Sequence, residues 1–234
     1  MAANVALALG VVFFTCLTPI AITDFWWQAK TGELIVRTGS IPTRDPFSWT
    51  AAGQPWLVHE WLTEVFFYLA YTQAPHGALL GYKCGLAALA GGLVLARAWA
   101  RSGSLMLGVA AAVSAGFVMR NYADLRPQMV TFVLLAALLL LLDEYREGRT
   151  PGIRRALPWA LPVVFTLWAN LHGGVIVGLI LISAWVAGEA LARWLYGTAL
   201  IPIRPLALGL AASALSVALN PNGFRIYSYP FQVL

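Results

Sequence analysis

The sequence predicts an all-α protein: a polytopic transmembrane bundle of about seven spans, with a long outer loop that carries amphipathic interfacial helices. Three observations predict it. The 234 residues are 60% hydrophobic and only 11% charged, against roughly 25% charged in an average soluble domain. The mean hydropathy is +0.74. The apolar residues are also gathered into runs close to the length of about 20 residues that crosses a bilayer core.

The first run, Asn4 to Ile22, lacks a basic leader and a small-x-small cleavage site, so 4–22 reads as a retained first span. Six more runs follow at about 78–98, 103–119, 127–142, 156–170, 174–192 and 200–219, ending in an outer tail at 220–234. The whole of 1–234 is thereby read as one membrane domain. The stretch from His59 to Gln73 is apolar but short and carries Glu60 and Glu64, so it reads as an amphipathic helix at the surface.

Orientation follows from the arginines and lysines of the loops. With a cytoplasmic N-terminus, the inner loops receive Arg97, Arg101, Arg146, Arg149, Arg154, Arg155, Arg193 and Arg204. The outer loops receive Lys30, Arg37, Arg44, Arg120, Arg126 and Arg225, interleaved with acidic residues. The expected location is therefore the inner (cytoplasmic) membrane, with the long first loop outside. Two charges fall near span interiors. Lys83 is expected to snorkel to the outer interface, and Glu189 to pair with Arg193 one turn away.

The outer loop, 24–77, is too long to be structureless in a compact protein. Asp24 is a candidate N-cap for a helix to about Arg37, with Phe25, Trp26, Trp27, Leu34 and Ile35 toward lipid and Lys30, Glu33 and Arg37 toward water. Gly39 fits its C-cap. Pro42 and Pro46 enforce an extended piece, Ala52-Gly53-Gln54-Pro55 a turn, and a second helix is expected from about Val58.

Composition also excludes functions. The net charge of +5 is scattered between apolar runs without a basic stripe, which argues against nucleic acid as a partner. Cys16 and Cys84 both lie in apolar runs and have neither disulfide nor metal spacing.

Certain stretches carry a resemblance: Asp24-Phe25-Trp26-Trp27, the segment Thr38 to Ser48 with Ile41-Pro42 and Asp45-Pro46-Phe47, His59-Glu60-Trp61-Leu62, Arg126-Pro127-Gln128, and Trp168-Ala169-Asn170-Leu171-His172-Gly173-Gly174. Together they resemble the C-type (GT-C) polytopic glycosyltransferases, and most closely a poorly characterised bacterial branch of multi-span proteins. The resemblance implies transfer of a sugar from a polyprenyl-phosphate-linked donor at the outer membrane face, with membrane lipid and that lipid-linked sugar as partners. It implies a catalytic role for Asp24, at the end of the first span, and for Asp124 in the second outer loop. Members that use a metal take a divalent ion such as Mg or Mn, but this chain lacks an Asp-x-Asp pair in that loop. Full-length members are longer, so an N-terminal fragment or truncated member is expected.

Such chemistry needs a carboxylate to take the acceptor proton and cationic groups to stabilise the departing phosphate. Asp24 supplies the first, although a helix cap is an equal use for it. Arg120 and Arg126 flank Asp124 and supply the second, against the alternative of an ordinary charged turn. His59, Glu60 and His172 are further candidates for substrate binding; a solvated interfacial helix and a plain glycine turn account for them otherwise. A non-catalytic membrane protein, either a flippase or transporter of a lipid-linked substrate or an assembly subunit, is the alternative to the enzyme. The oligomeric state is open.

Overall fold

The computed structural model describes residues 1–20, 23–75 and 77–229. Among them the structure is helical, with one isolated antiparallel bridge between Arg44 and Pro55 and no strands. The helices are α1 (Ala2–Thr15), α2 (Asp24–Thr38), α3 (Trp61–Gln73), α4 (Ala78–Ser102), α5 (Leu105–Arg120), α6 (Gln128–Glu147), α7 (Pro151–Leu171), α8 (Val175–Tyr196) and α9 (Ile203–Ser216), followed by 3-10 turns at Val217–Leu219 and Gly223–Ser228. Of these, α4, α6 and α8 are long and apolar enough to cross a membrane. His76, the last residues of the predicted first span (Ala21 and Ile22) and Pro230–Leu234 of the predicted tail lie outside the described residues.

The predicted first span is helical only as far as Thr15. Pro19 disfavours helical geometry at Thr18 and offers no N–H of its own. The freed Thr18 carbonyl is taken by Lys83, whose Nζ donates to Thr18 O at 2.7 Å and lies 3.0 Å from Thr18 Oγ1. Lys83 is fully buried. It therefore does not snorkel to the interface but clasps the broken end of the first apolar run.

The chain divides into two compact units. The first comprises Met1–Pro42 and Trp61–Leu140. In it α1 and α5 run antiparallel to α4: Ala8 packs with Leu95 and Ala112 at one end, and Cys16 with Cys84 and Met119 at the other. Close approach depends on missing side chains. A Cβ on Gly91 or Gly116 would lie 3.3 or 3.0 Å from the methyls of Val12. Likewise α2 and α3 meet at Gly32, where a Cβ would fall 2.0 Å from the Glu64 carbonyl oxygen. Phe25 and Ile35 are consequently buried in protein, Phe25 with its ring 5.6 Å from that of Phe67, while Trp26 and Trp27 remain exposed. The wet side of α2 forms as its spacing predicts, with Glu33 2.7 Å from Lys30 and 3.1 Å from Arg37. Gly39 ends the helix at φ +65°.

The second unit comprises Thr43–Glu60 and the chain from Leu141 onward. Two prolines shape α7. Pro162 has no N–H to give the Pro158 carbonyl, and α9 packs onto that exposed oxygen through Gly209, whose Cβ would sit 2.4 Å from it. Ser216 Oγ then donates to Pro162 O at 2.8 Å. Trp168, fully buried, lies over Gly178 of α8. Glu189 is tied to the Leu200 N–H at 3.0 Å and lies 3.7 Å from Arg146 Nε, in place of the expected pair with Arg193. Residues 43–56 form a tight hairpin-like loop. Asp45 Oδ1 accepts the Phe47 and Ser48 N–H groups at 2.8 and 3.0 Å, Arg44 Nη1 donates to Gly53 O at 2.8 Å, and Trp49 stands exposed at the tip.

Candidate functional site

The candidate residues form two groups, one in each unit. In the first unit, Phe25 and Leu125 share a buried cluster with Ala29, Phe67 and Leu79. Their sequence neighbours Asp24 and Arg126 are thereby brought together. Asp24 Oδ2 lies 2.8 Å from Arg126 Nη2, with both side chains a little under 40% exposed. Asp24 is not the N-cap of α2; Thr23 holds that position and Asp24 stands in the first turn, its carboxylate turned to the arginine. Arg126 Nε is buried and, among the described residues, has no hydrogen-bond partner. The guanidinium therefore has a donor still to satisfy, and a tetrahedral anion is the kind of acceptor that an arginine edge takes.

Asp124 is placed differently. Its Oδ1 accepts the N–H of Leu125 at 2.9 Å, which braces the turn between α5 and α6. Arg120 ends α5 at the surface. The expected pair of arginines flanking Asp124 is thus not the arrangement found, because the apolar anchors on either side of the loop direct Arg126 to Asp24 instead.

In the second unit, His59, Glu60 and His172 converge. Glu60 Oε1 lies 3.2 Å from His59 Nε2 and 3.4 Å from His172 Nε2. The expected helix forms, but α3 starts at Trp61 rather than near Val58, and His59 and Glu60 lie before it, buried rather than solvated. The reason lies in Asn220 and Asn222. Asn222 Nδ2 donates to Val58 O at 2.9 Å, and Asn220 Nδ2 donates to His59 O at 3.2 Å and to Ala169 O at 2.9 Å. Asn220 Oδ1 in turn accepts the Asn222 N–H at 2.9 Å. These side chains supply the donors that a helix would otherwise have provided.

His172 carries its own positional information. Its Nδ1 accepts the Gly174 N–H at 2.9 Å, so the neutral ring bears its proton on Nε2, facing Glu60. Burial pushes the His172 pKa below its ordinary value; the Glu60 carboxylate opposes that shift and His59 adds to it. The Gly173-Gly174 pair is more than a connecting turn. A Cβ on Gly173 would stand 3.1 Å from His59 Cδ2, while Tyr229 lies over His59 with ring centroids 3.7 Å apart.

A divalent metal does not fit these side chains. Among the described residues, no group of three or more His, Cys, Asp and Glu side chains is placed to hold an ion. Asp24 is engaged by Arg126, and the His172 Nε2 that faces Glu60 bears a proton rather than a lone pair.

The asparagines and Tyr229 are the residues that sequence reasoning passed over. The Asn220-Pro221-Asn222-Gly223 run had the residue types of a turn, but only its long-range bonds show that two amides reach back more than 150 positions. No family model matches the chain, and no curated protein or solved structure matches it either.

Proposed function

We propose that the chain is a membrane glycosyltransferase of the GT-C kind, about seven spans in all, which transfers a sugar from a polyprenyl-phosphate-linked donor at the outer face of the cytoplasmic membrane. The observation that carries this reading is the Asp24–Arg126 pair, 2.8 Å apart and partly open to solvent, with a buried guanidinium nitrogen that has no acceptor among the described residues. A donor phosphate that engages Arg126 draws the guanidinium from Asp24 and leaves the carboxylate to take the acceptor proton. The acceptor oxygen then forms the new bond to the anomeric carbon, and the phosphate departs with the electron pair of the broken bond, its charge held by Arg126. Asp24 and Arg126 thus act together, with Asp124 bracing the turn between α5 and α6 through the Leu125 N–H.

Purified full-length protein in liposomes containing a polyprenyl-phosphate-linked sugar tests this. Asp24→Asn and Arg126→Gln should each reduce transfer by at least about 100-fold, the range expected for loss of a general base or an electrostatic stabiliser. Unchanged transfer in both variants would refute the assignment.

Lys83 supports the second reading, a flippase or transporter. A fully buried ammonium held, among the described residues, by the two Thr18 oxygens is the kind of intramembrane charge that marks a substrate or ion path. Movement of the intact lipid-linked sugar across sealed vesicles, without bond cleavage, would favour it.

A further inference from the structure

We infer that the tip of the 43–56 loop, from Phe47 to Thr50, docks on the membrane and seats the Trp49 ring in the neutral headgroup region of a phospholipid bilayer. The inference concerns the second unit alone and does not depend on the reaction proposed above.

Trp49 is 97% exposed and Phe47 41%, yet the loop that displays them is tightly made. Asp45 Oδ1 accepts the N–H groups of Phe47 and Ser48, and Asp45 Oδ2 accepts the Ser48 hydroxyl. The Asp45 N–H donates to Gln54 O at 2.9 Å, the Gly53 N–H to Asp45 O at 2.8 Å and the Trp56 N–H to Thr43 O at 2.9 Å. Pro46 and Pro55 have no N–H to satisfy. A segment that approaches lipid must satisfy its backbone internally, and the two arms of this loop do so. The headgroup region, unlike the bilayer core, still supplies water and oxygen acceptors to the tip itself. Because the arms are already fixed, the ordering cost of docking is largely met on folding.

Charge and area select the partner. Arg44 and Asp45 cancel, and no charged residue follows them as far as Trp56. A neutral tip gains nothing from an acidic or basic protein surface or from anionic lipid, and it brings no charge to desolvate at a zwitterionic interface. Two aromatic side chains offer roughly 300–500 Å², against the roughly 800 Å² that each partner gives to a stable protein interface. A tryptophan, with an apolar ring and one N–H, is by contrast a side chain that a membrane interface takes singly.

The root of the loop lies at the right level. Just past Trp56, Val58 O accepts from Asn222 Nδ2, and His59 Cδ2 stands 3.1 Å from where a Cβ on Gly173 would be. Gly173 immediately precedes Gly174, the N-cap of α8, and α8 is long and apolar enough to cross a membrane. The loop therefore leaves the protein beside the end of that helix, where a spanning segment meets the headgroups.

The test uses the full chain in phosphatidylcholine vesicles, with Thr50→Cys labelled by a nitrobenzoxadiazole fluorophore and Trp49 kept. Thr50 is exposed, whereas the native Cys16 and Cys84 are buried. Gln54→Cys, exposed at the root of the loop, is the comparison. A phosphatidylcholine spin-labelled near the top of its acyl chain should quench the Thr50→Cys label at least about twofold more than the Gln54→Cys label, and aqueous iodide should show the reverse order. Adding phosphatidylglycerol should not strengthen the lipid quenching. Trp49→Ala in the Thr50→Cys background should abolish the difference between the two positions. Equal quenching at both positions by lipid and by iodide would overturn the inference, as would lipid quenching that survives Trp49→Ala or depends on phosphatidylglycerol. Protection from iodide by a methyl glycoside, without lipid quenching, would overturn it in favour of a sugar-stacking role for Trp49. Should Trp49→Ala fail to fold, the comparison of the two labelled positions with Trp49 present decides.

Discussion

Replacing Asn220 with alanine puts the architecture of the second unit to its most direct test. The side chain is buried and supplies the donor for two backbone carbonyls, His59 O at 3.2 Å and Ala169 O at 2.9 Å, and the acceptor for the Asn222 N–H. Alanine leaves both carbonyls without that donor in a region that water does not reach freely. At about 1–3 kcal/mol for each buried group left unsatisfied, the loss is about 3 kcal/mol. For a chain of this size that corresponds to a fall in Tm of roughly 6–12 °C. Thermal unfolding followed by tryptophan fluorescence in detergent measures it, and hydrogen exchange locates it: protection should fall in peptides covering 58–60 and 169–174. Asn220→Asp keeps the acceptor and loses both donors, so it should be at least as damaging. A shift under about 2 °C, with exchange unchanged in those peptides, would show that the asparagine does not hold the two segments together.

Three further outcomes are expected. Gly209→Ala forces a Cβ to 2.4 Å from the Pro158 backbone oxygen and should destabilise by about 3 kcal/mol, whereas Gly188→Ala meets nothing within 4 Å and should gain about 0.5–1 kcal/mol of helix propensity. Matching signs in the two Tm shifts would contradict the packing described for α7 and α9. His172 has a folded pKa below its ordinary 6.5, so the unfolded chain takes up the proton first as pH falls. The stability it contributes is complete above about pH 6.5 and is lost as pH drops through the folded pKa; His172→Gln should flatten that part of the Tm-against-pH curve, and an unchanged slope would refute the assignment. Asp45, whose pKa is lowered by its bonds to Ser48 and Phe47, secures the 43–56 loop, so Asp45→Ala should speed proteolytic cleavage there at neutral pH. Equal cleavage rates would show that the loop is held without it.

The helices were legible in the sequence because their signals are local. Runs of apolar residues bounded by glycine, proline and arginine placed α4 to α9 to within a few residues of where they lie, and the i, i+3 and i, i+4 charges of α2 pair as their spacing predicts. Even the early end of α1 was written in Pro19, though its apolar neighbours masked it. The site was only half legible. Asp24, Arg126, His59, Glu60 and His172 were all candidates by residue type and position, but their partners were not. Asp24 read as a cap because Asp at a helix start usually caps; Phe25 and Leu125 had to meet in a shared core before Arg126 could reach it.

The sequence by itself determined the helical class, the apolar character and the chemical types at hand, since composition and periodicity act within a turn or two of helix. Tertiary structure alone decided that Lys83 is buried against Thr18, that Glu189 faces Leu200 rather than Arg193, and that His59 and His172 share Glu60. Each depends on contacts between segments from 11 to more than 100 positions apart. Such contacts form where a glycine allows close approach or an asparagine supplies the missing donor, and neither leaves a periodic trace in the chain.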